Sequence, residues 1–274
     1  MTLALVFKGG RLVGAVLAAF LCHDLPGQAA GSSSVRCWGK FAFDTRGRDG
    51  QFAQVSAAGY TTGVLTAEGR IFVNGSNYRG EAIVPQLPVG EQYTSLSVST
   101  WGCAAVTNLG RIVTWGTNWN TIYPGYTNPT VPPAPPLPPG VVYQEVSNSV
   151  GFLIARRSDD TLIAWGDNSK GQCNVPVLPP GVIVCKFVAR GETAYYVLSD
   201  GSLVVVGDTT AGQAQVPPLP PGVGYVDCYP GHGHYVALRS DGQVVAWGDN
   251  TYGQCNVPPL PPHSAYRRIA CGWN

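Results

Sequence analysis

Short apolar, β-rich runs recur along the chain, separated by polar clusters of glycine and proline. Such runs mark β-strands, and no stretch carries the 3.6-residue period of an amphipathic helix. The runs also end alike. A β-rich segment closes on Trp-Gly, or a near variant, as SVRCWG to Gly39, RIFVNG to Gly75, RIVTWG to Gly116, TLIAWG to Gly166, SLVVVG to Gly207 and QVVAWG to Gly248. Successive glycines lie 36, 41, 50, 41 and 41 residues apart, so a 41-residue unit is written about six times. The short first interval lacks a proline-rich segment, and the long third one carries a Pro-rich insertion at residues 117–140.

Each unit repeats one internal order. After Trp-Gly comes a polar turn containing a Gly-Gln pair, as at Gly171-Gln172, Gly212-Gln213 and Gly253-Gln254. A VPxLPPG segment follows (Val175–Gly181, Val216–Gly222); proline donates no ladder hydrogen bond, so this reads as an extended connector. A strand opening on an aromatic comes next, from Tyr93, Tyr143 or Tyr225, then a second strand that ends at a hairpin such as Asp200-Gly201 or Asp241-Gly242. The third strand returns to Trp-Gly. Three or four short antiparallel strands cannot bury two sheet faces alone, whereas small sheets stacked around an axis can, with few open edges. The pattern predicts an all-β protein, a β-propeller of six to seven blades, with Trp38, Trp115, Trp165 and Trp247 and the glycines Gly39, Gly116, Gly166 and Gly248 as structural anchors. The tryptophans should pack between neighbouring blades. Asn74 and Val206 stand in the Trp position of two units and predict looser packing there.

The two ends of the chain read differently. Lys8 and Arg11 precede an eleven-residue apolar run, Leu12–Cys22, which is followed by small residues near Ala29–Ala30. This is the pattern of a secretory signal peptide over residues 1–30, too short to span a bilayer comfortably. The competing reading takes Thr2–Gly14 as a degenerate strand–turn–strand piece of the repeat. Residues 31–274 are expected to form a single propeller domain with an incomplete last repeat, since YRRIACGWN stops before its second and third strands. Either SVRCWG near the start completes that blade, or one more repeat completes a seven-bladed ring.

Composition narrows the function. Charged residues make up 12% of the chain, about half the usual share, with a net charge of +1 and no Lys/Arg cluster, which argues against nucleic acid or an anionic membrane as partner. Eight cysteines at this chain length do not imply a disulfide scaffold. Cys173 and Cys255 occupy matching turns of different units, too far apart to bridge. Cys37, Cys103, Cys185, Cys228 and Cys271 lie in or beside strands and read as buried thiols.

Residues present in every unit serve the unit's structure, whereas catalysis needs a constellation found once. Asp167 and Asp249, and Ser199-Asp200 and Ser240-Asp241, are therefore turn residues. Cys228, His232 and His234 in CYPGHGH form the one candidate metal set, but Pro230-Gly231 breaks the strand and no fourth ligand is near. Glu192 and Asp208 have no evident partner. No catalytic residue, metal or cofactor is expected. Departures from the repeat are the better place for function. Trp119, Tyr123 and Tyr126 on the insertion, with Tyr252 in a turn after Trp-Gly, are the candidate protein-binding residues, because exposed aromatics anchor interfaces.

The unit ALRSDGQVVAWGDNTYGQCNVPPLPP resembles the repeat of the regulator of chromosome condensation family, over residues 34–274. The resemblance implies a propeller, typically of seven blades. The short repeat is most similar to a bacterial branch that includes a secreted β-lactamase inhibitor. The expectation is a non-enzymatic scaffold that binds another protein and is exported to the periplasm, cell envelope or medium. The alternatives implied by resemblance are an inhibitor of a secreted enzyme such as a β-lactamase, and an intracellular, cytoplasmic exchange-factor-like module.

Overall fold

Five of the 41-residue units each fold into one three-stranded antiparallel sheet. A computed structural model describes residues 52–116 and 132–261 except Tyr60, Ala211 and His232, the strands β1 (Arg36–Cys37) and β2 (Phe43–Asp44), and residues 264–266 and 269. Trp38, Gly39, Trp119, Tyr123, Tyr126, His232 and Cys271 lie outside the described residues, as do the proposed signal peptide and most of the insertion. The sheets fall into two compact units. The first, ending at Asn168, holds three sheets: β3 (Phe52–Ala58), β4 (Thr61–Thr66) and β5 (Ile71–Gly75); β6 (Tyr93–Val98), β7 (Cys103–Thr107) and β8 (Ile112–Trp115); and β9 (Tyr143–Asn148), β10 (Phe152–Arg157) and β11 (Leu162–Gly166). The second, from Ser169, holds β12 (Val184–Arg190), β13 (Thr193–Leu198) and β14 (Leu203–Gly207), then β15 (Tyr225–Pro230), β16 (His234–Arg239) and β17 (Val244–Gly248). In every sheet the second strand is central, and it is largely buried on both faces.

The Asp-Gly signal sits where a hairpin forms, but the turn is not one with two left-handed residues. Gly201 N–H bonds back to Leu198 O at 3.0 Å, and Leu198 N–H then bonds Ser202 O at 2.9 Å. Only the last turn residue takes positive φ, 80° at Gly201 and 76° at Gly242. This is a type I turn closed by a left-handed residue, the three-residue hairpin family. In the third sheet that place is held by Asp160, at φ 63°. Gly201 has a second constraint: a Cβ there would lie 2.7 Å from Gly224 Cα, at the start of the next sheet.

The core lies between successive sheets, as the pattern of tryptophans predicts. Leu65 and Ile71 pack with Tyr93, Leu96, Ala105 and Trp115; Ala104 and Val106 pack with Tyr143, Leu153 and Trp165; Tyr195 and Val197 pack with Tyr225, Tyr235 and Trp247. Each indole N–H donates to the connector before its own sheet, Trp115 to Glu81 O at 2.8 Å, Trp165 to Pro132 O at 3.0 Å and Trp247 to Gln213 O at 3.0 Å. Asn74 is exposed and Val206 only partly buried at the corresponding places, in keeping with the weaker packing expected there. The connectors touch the core every third residue: Val84 and Leu87, Ala134 and Leu137, Val216 and Leu219. That spacing is one ridge of a polyproline helix. The opening tyrosines fasten it, with Tyr93, Tyr143 and Tyr225 hydroxyls donating to the carbonyls of Pro85, Pro135 and Pro217 at 2.8, 2.8 and 2.6 Å.

First strands are sheet edges, and side chains from the preceding sheet cover their open backbone groups. The Gln54 amide accepts from Leu96 N–H and donates to Leu96 O, both at 2.8 Å. Ser56 Oγ accepts from Val98 N–H at 2.8 Å, and Ser97 Oγ from Asn148 N–H at 2.9 Å. The β12/β15 seam is different. By register the serine position is Val188 and its partner is Pro230, which has no N–H to cover; here Lys186 pairs with Asp227 and lies over the Tyr229 ring.

Candidate protein-binding surface

One turn design follows Asn74-Gly75, Trp165-Gly166 and Trp247-Gly248. Its Gln or Glu side chain turns back and accepts the N–H two residues earlier: Glu81 from Arg79 at 2.9 Å, Gln172 from Lys170 at 2.8 Å, Gln254 from Tyr252 at 2.8 Å. Glu81 is 1% exposed and Gln172 fully buried, so these two bracing residues belong to the core, while Gln254 is half-buried. The braced residue faces outward and changes from unit to unit. In the second unit it is Tyr252, 78% exposed. Asp249 Oδ1 accepts from Thr251 N–H at 2.9 Å, and Asn250 Oδ1 from Cys255 N–H at 2.8 Å, so the turn presents Tyr252 in one posture.

In the first unit the braced residue is Arg79, whose guanidinium lies 4.8 Å from the centre of the Trp101 ring. Beside it Tyr78 is 83% exposed. The chain leaves this same corner for the insertion. A Cβ at Gly116 would lie 3.1 Å from both Glu81 Cα and Gly102 Cα, so Gly116, the last described residue before the insertion, lies against the neighbours of Arg79 and Trp101. Tyr78, Arg79 and Trp101 were not singled out from sequence. Arg79 could have been, since it fills the place of Tyr252 when the two turns are aligned on Glu81 and Gln254. Trp101 lies in the turn between β6 and β7; the same turn recurs in the third sheet, Ser149 N–H bonding Phe152 O as Ser99 N–H bonds Gly102 O, but there the matching residue is Gly151.

The carboxylates serve the turns. Asp208 accepts from Thr210 N–H and Oγ1 at 2.9 and 2.7 Å, and Asp249 binds Thr251 likewise; these bonds hold both carboxyls below the ordinary aspartate range. Glu192 contributes its backbone carbonyl to Asp208 N–H at 2.9 Å. Cys228 is fully buried between β13 and β16, and His234 is buried with a Gly231 Cβ position only 2.1 Å from its ring. Among the described residues no three His, Cys, Asp or Glu side chains gather as a metal set. Cys103, Cys173, Cys185, Cys228 and Cys255 form no disulfide, and burial pushes the Cys103 thiol up to about 12. No helix among the described residues is long and apolar enough to cross a membrane.

Residues 226–254 match the Regulator of chromosome condensation (RCC1) repeat. The chain carries the RCC1 repeat. No curated protein matches the chain in sequence. Among solved structures, yeast RCC1 (Prp20), crystallised with Kap60, is similar at TM-score 0.62 and 15% identity, over 81% of this chain and 66% of that one. Human WBSCR16 gives 0.58 and 20% identity over 81% and 70%, and Prp20p from Saccharomyces cerevisiae 0.59 and 16% over 95% and 70%. The RCC1-repeat chain therefore has the β-propeller fold of these proteins, spanning about two thirds of their length.

Proposed function

We propose that the chain is a non-enzymatic β-propeller module that binds another protein through the turns following Trp-Gly. The observation that carries this reading is the contrast within one turn design: Glu81, Gln172 or Gln254, the first two buried and the third half-buried, holds the backbone, while the outward residue varies among Arg79, Lys170 and Tyr252. A constant frame that presents a variable residue from a fixed backbone suits recognition, since little backbone freedom is lost on binding. Structural neighbours point the same way: yeast RCC1 was crystallised bound to Kap60, and Prp20p was studied for binding to Gsp1p and histones. Contact centres on Tyr78, Arg79 and Trp101 with the aromatics Trp119, Tyr123 and Tyr126 of the adjoining insertion; Tyr252 is a separate contact in the second unit.

Export belongs to the same proposal, supported by Lys8, Arg11 and the apolar run Leu12–Cys22, and intact-mass measurement of the mature protein tests it. Binding is tested by affinity capture with the full chain and with a Tyr78→Ala/Arg79→Ala/Trp119→Ala variant. A partner retained by the first and lost by the second supports the surface. Equal capture by both, or by neither, overturns it.

A further inference from the structure

Asn74 and Gly75 form the only Asn-Gly pair in the sequence, at the place where other units write Trp-Gly. We infer that this pair is a deamidation site, converted by its own backbone to aspartate and isoaspartate. Conversion requires the nitrogen of the following residue to reach the side-chain carbonyl carbon, and a glycine there offers no side chain in the way. Gly75 N–H donates to Asn74 Oδ1 at 2.9 Å, so the asparagine side chain is already folded back over that nitrogen.

The nitrogen is also available. In three sibling sheets the ladder bond is made by the residue after the glycine: Asp167 N–H to Gly151 O, Asp208 to Glu192 and Asp249 to Gly233. By the alternation of an antiparallel ladder, the glycine's own N–H points to the open edge of the third strand. Asn74 is exposed, so water and hydroxide reach it. Two other asparagines in similar turns are held differently. Asn77 Oδ1 accepts from Ala82 N–H at 2.9 Å and Asn250 Oδ1 from Cys255 N–H at 2.8 Å, so their side-chain carbonyls are engaged by a residue five positions on rather than by the next nitrogen's N–H.

Base removes the Gly75 N–H proton, the nitrogen attacks Asn74 Cγ, and the Cγ–Nδ2 bond breaks with loss of ammonia, which carries off a proton. Water then opens the succinimide at either carbonyl. No oxidant or reductant takes part. The isoaspartyl product puts an extra methylene in the main chain opposite Thr62, its partner in the ladder.

The purified full chain, kept folded at mildly alkaline pH, is sampled over days and its peptides mapped by mass. Asn74 should convert at least about tenfold faster than Asn77 or Asn250, because its reacting atoms are already close. Its rate in the folded chain should also fall within about tenfold of the rate in urea, where nothing restrains the pair. Conversion at Asn74 no faster than at Asn77, or strong suppression on folding, overturns the inference. Asn74→Gln, at an exposed position, should remove the mass gain of that peptide; a persisting gain would refute the assignment.

Discussion

Gln54 offers a test of how neighbouring sheets are joined. Gln54→Ala removes two hydrogen bonds to one residue, Leu96, and leaves that residue's N–H and C=O without their partner at a largely buried seam. Each lost bond is worth about 1 kcal/mol net, and uncovered buried groups raise the figure, so the variant should lose about 2–3 kcal/mol. For a chain of this size that is a fall in Tm of roughly 5–10 °C. Gln54→Glu separates the bonding from the packing. Its carboxylate can accept from Leu96 N–H but has no proton for Leu96 O, so the folded state should raise its pKa above the unfolded value. The penalty is then full above the folded pKa and shrinks as pH falls through it, when the acid regains a donor. Urea unfolding of wild type, Gln54→Ala and Gln54→Glu at neutral and acidic pH reads out both effects. A Gln54→Ala cost below about 0.5 kcal/mol, the range of an ordinary surface change, would refute the idea that the side chain covers a strand edge.

Trp247→Phe keeps the aromatic packing but leaves Gln213 O without its donor, and should cost about 1–2 kcal/mol by chemical denaturation; Trp247→Ala should cost about 3–5 kcal/mol. Gly201→Ala meets both a left-handed φ of 80° and a backbone atom 2.7 Å away, and should destabilise by more than about 1 kcal/mol, whereas Asp160→Gly should change stability by less than about 1 kcal/mol. Glu81→Gln, which copies the sibling residue, should be neutral or stabilising by about 1 kcal/mol in a thermal melt because it removes a buried charge. An NMR titration should find Asp249 below the free aspartate value. Its contribution to stability is then present above the unfolded pKa and lost as pH falls through the lower folded one, and Thr251→Ala should bring the two values closer.

Repetition made the fold legible. A Trp-Gly that returns every 41 residues exposes strand, turn and connector at once, and the buried indoles stand where that spacing put them. The hairpins were placed correctly by Asp-Gly, whose glycine takes the positive φ the turn needs, and Asp160 shows that one left-handed non-glycine residue can supply it as well. The joints between sheets were hidden. Gln54, Ser56 and Ser97 look like ordinary polar positions on strands, and only the structure shows each reaching a backbone group more than forty residues away. The candidate surface was half visible: Tyr252 stood out as an aromatic in a turn, while Arg79, in the equivalent place, did not read as a contact until Trp101 was found beneath it.

The Val188–Pro230 seam has a bearing on ancestry. Copies made by duplication begin interchangeable, but here a lost acceptor on one blade faces a neighbour that has lost the matching donor, while an ion pair has grown up alongside. That joint has thus acquired its own lock and key, whereas the β3/β6 and β6/β9 joints share one serine bond. The β12–β14 blade can no longer be shuffled, and a chain with the segment from Val184 to Gly207 transplanted beside Tyr93 would offer a valine to an amide that needs an oxygen.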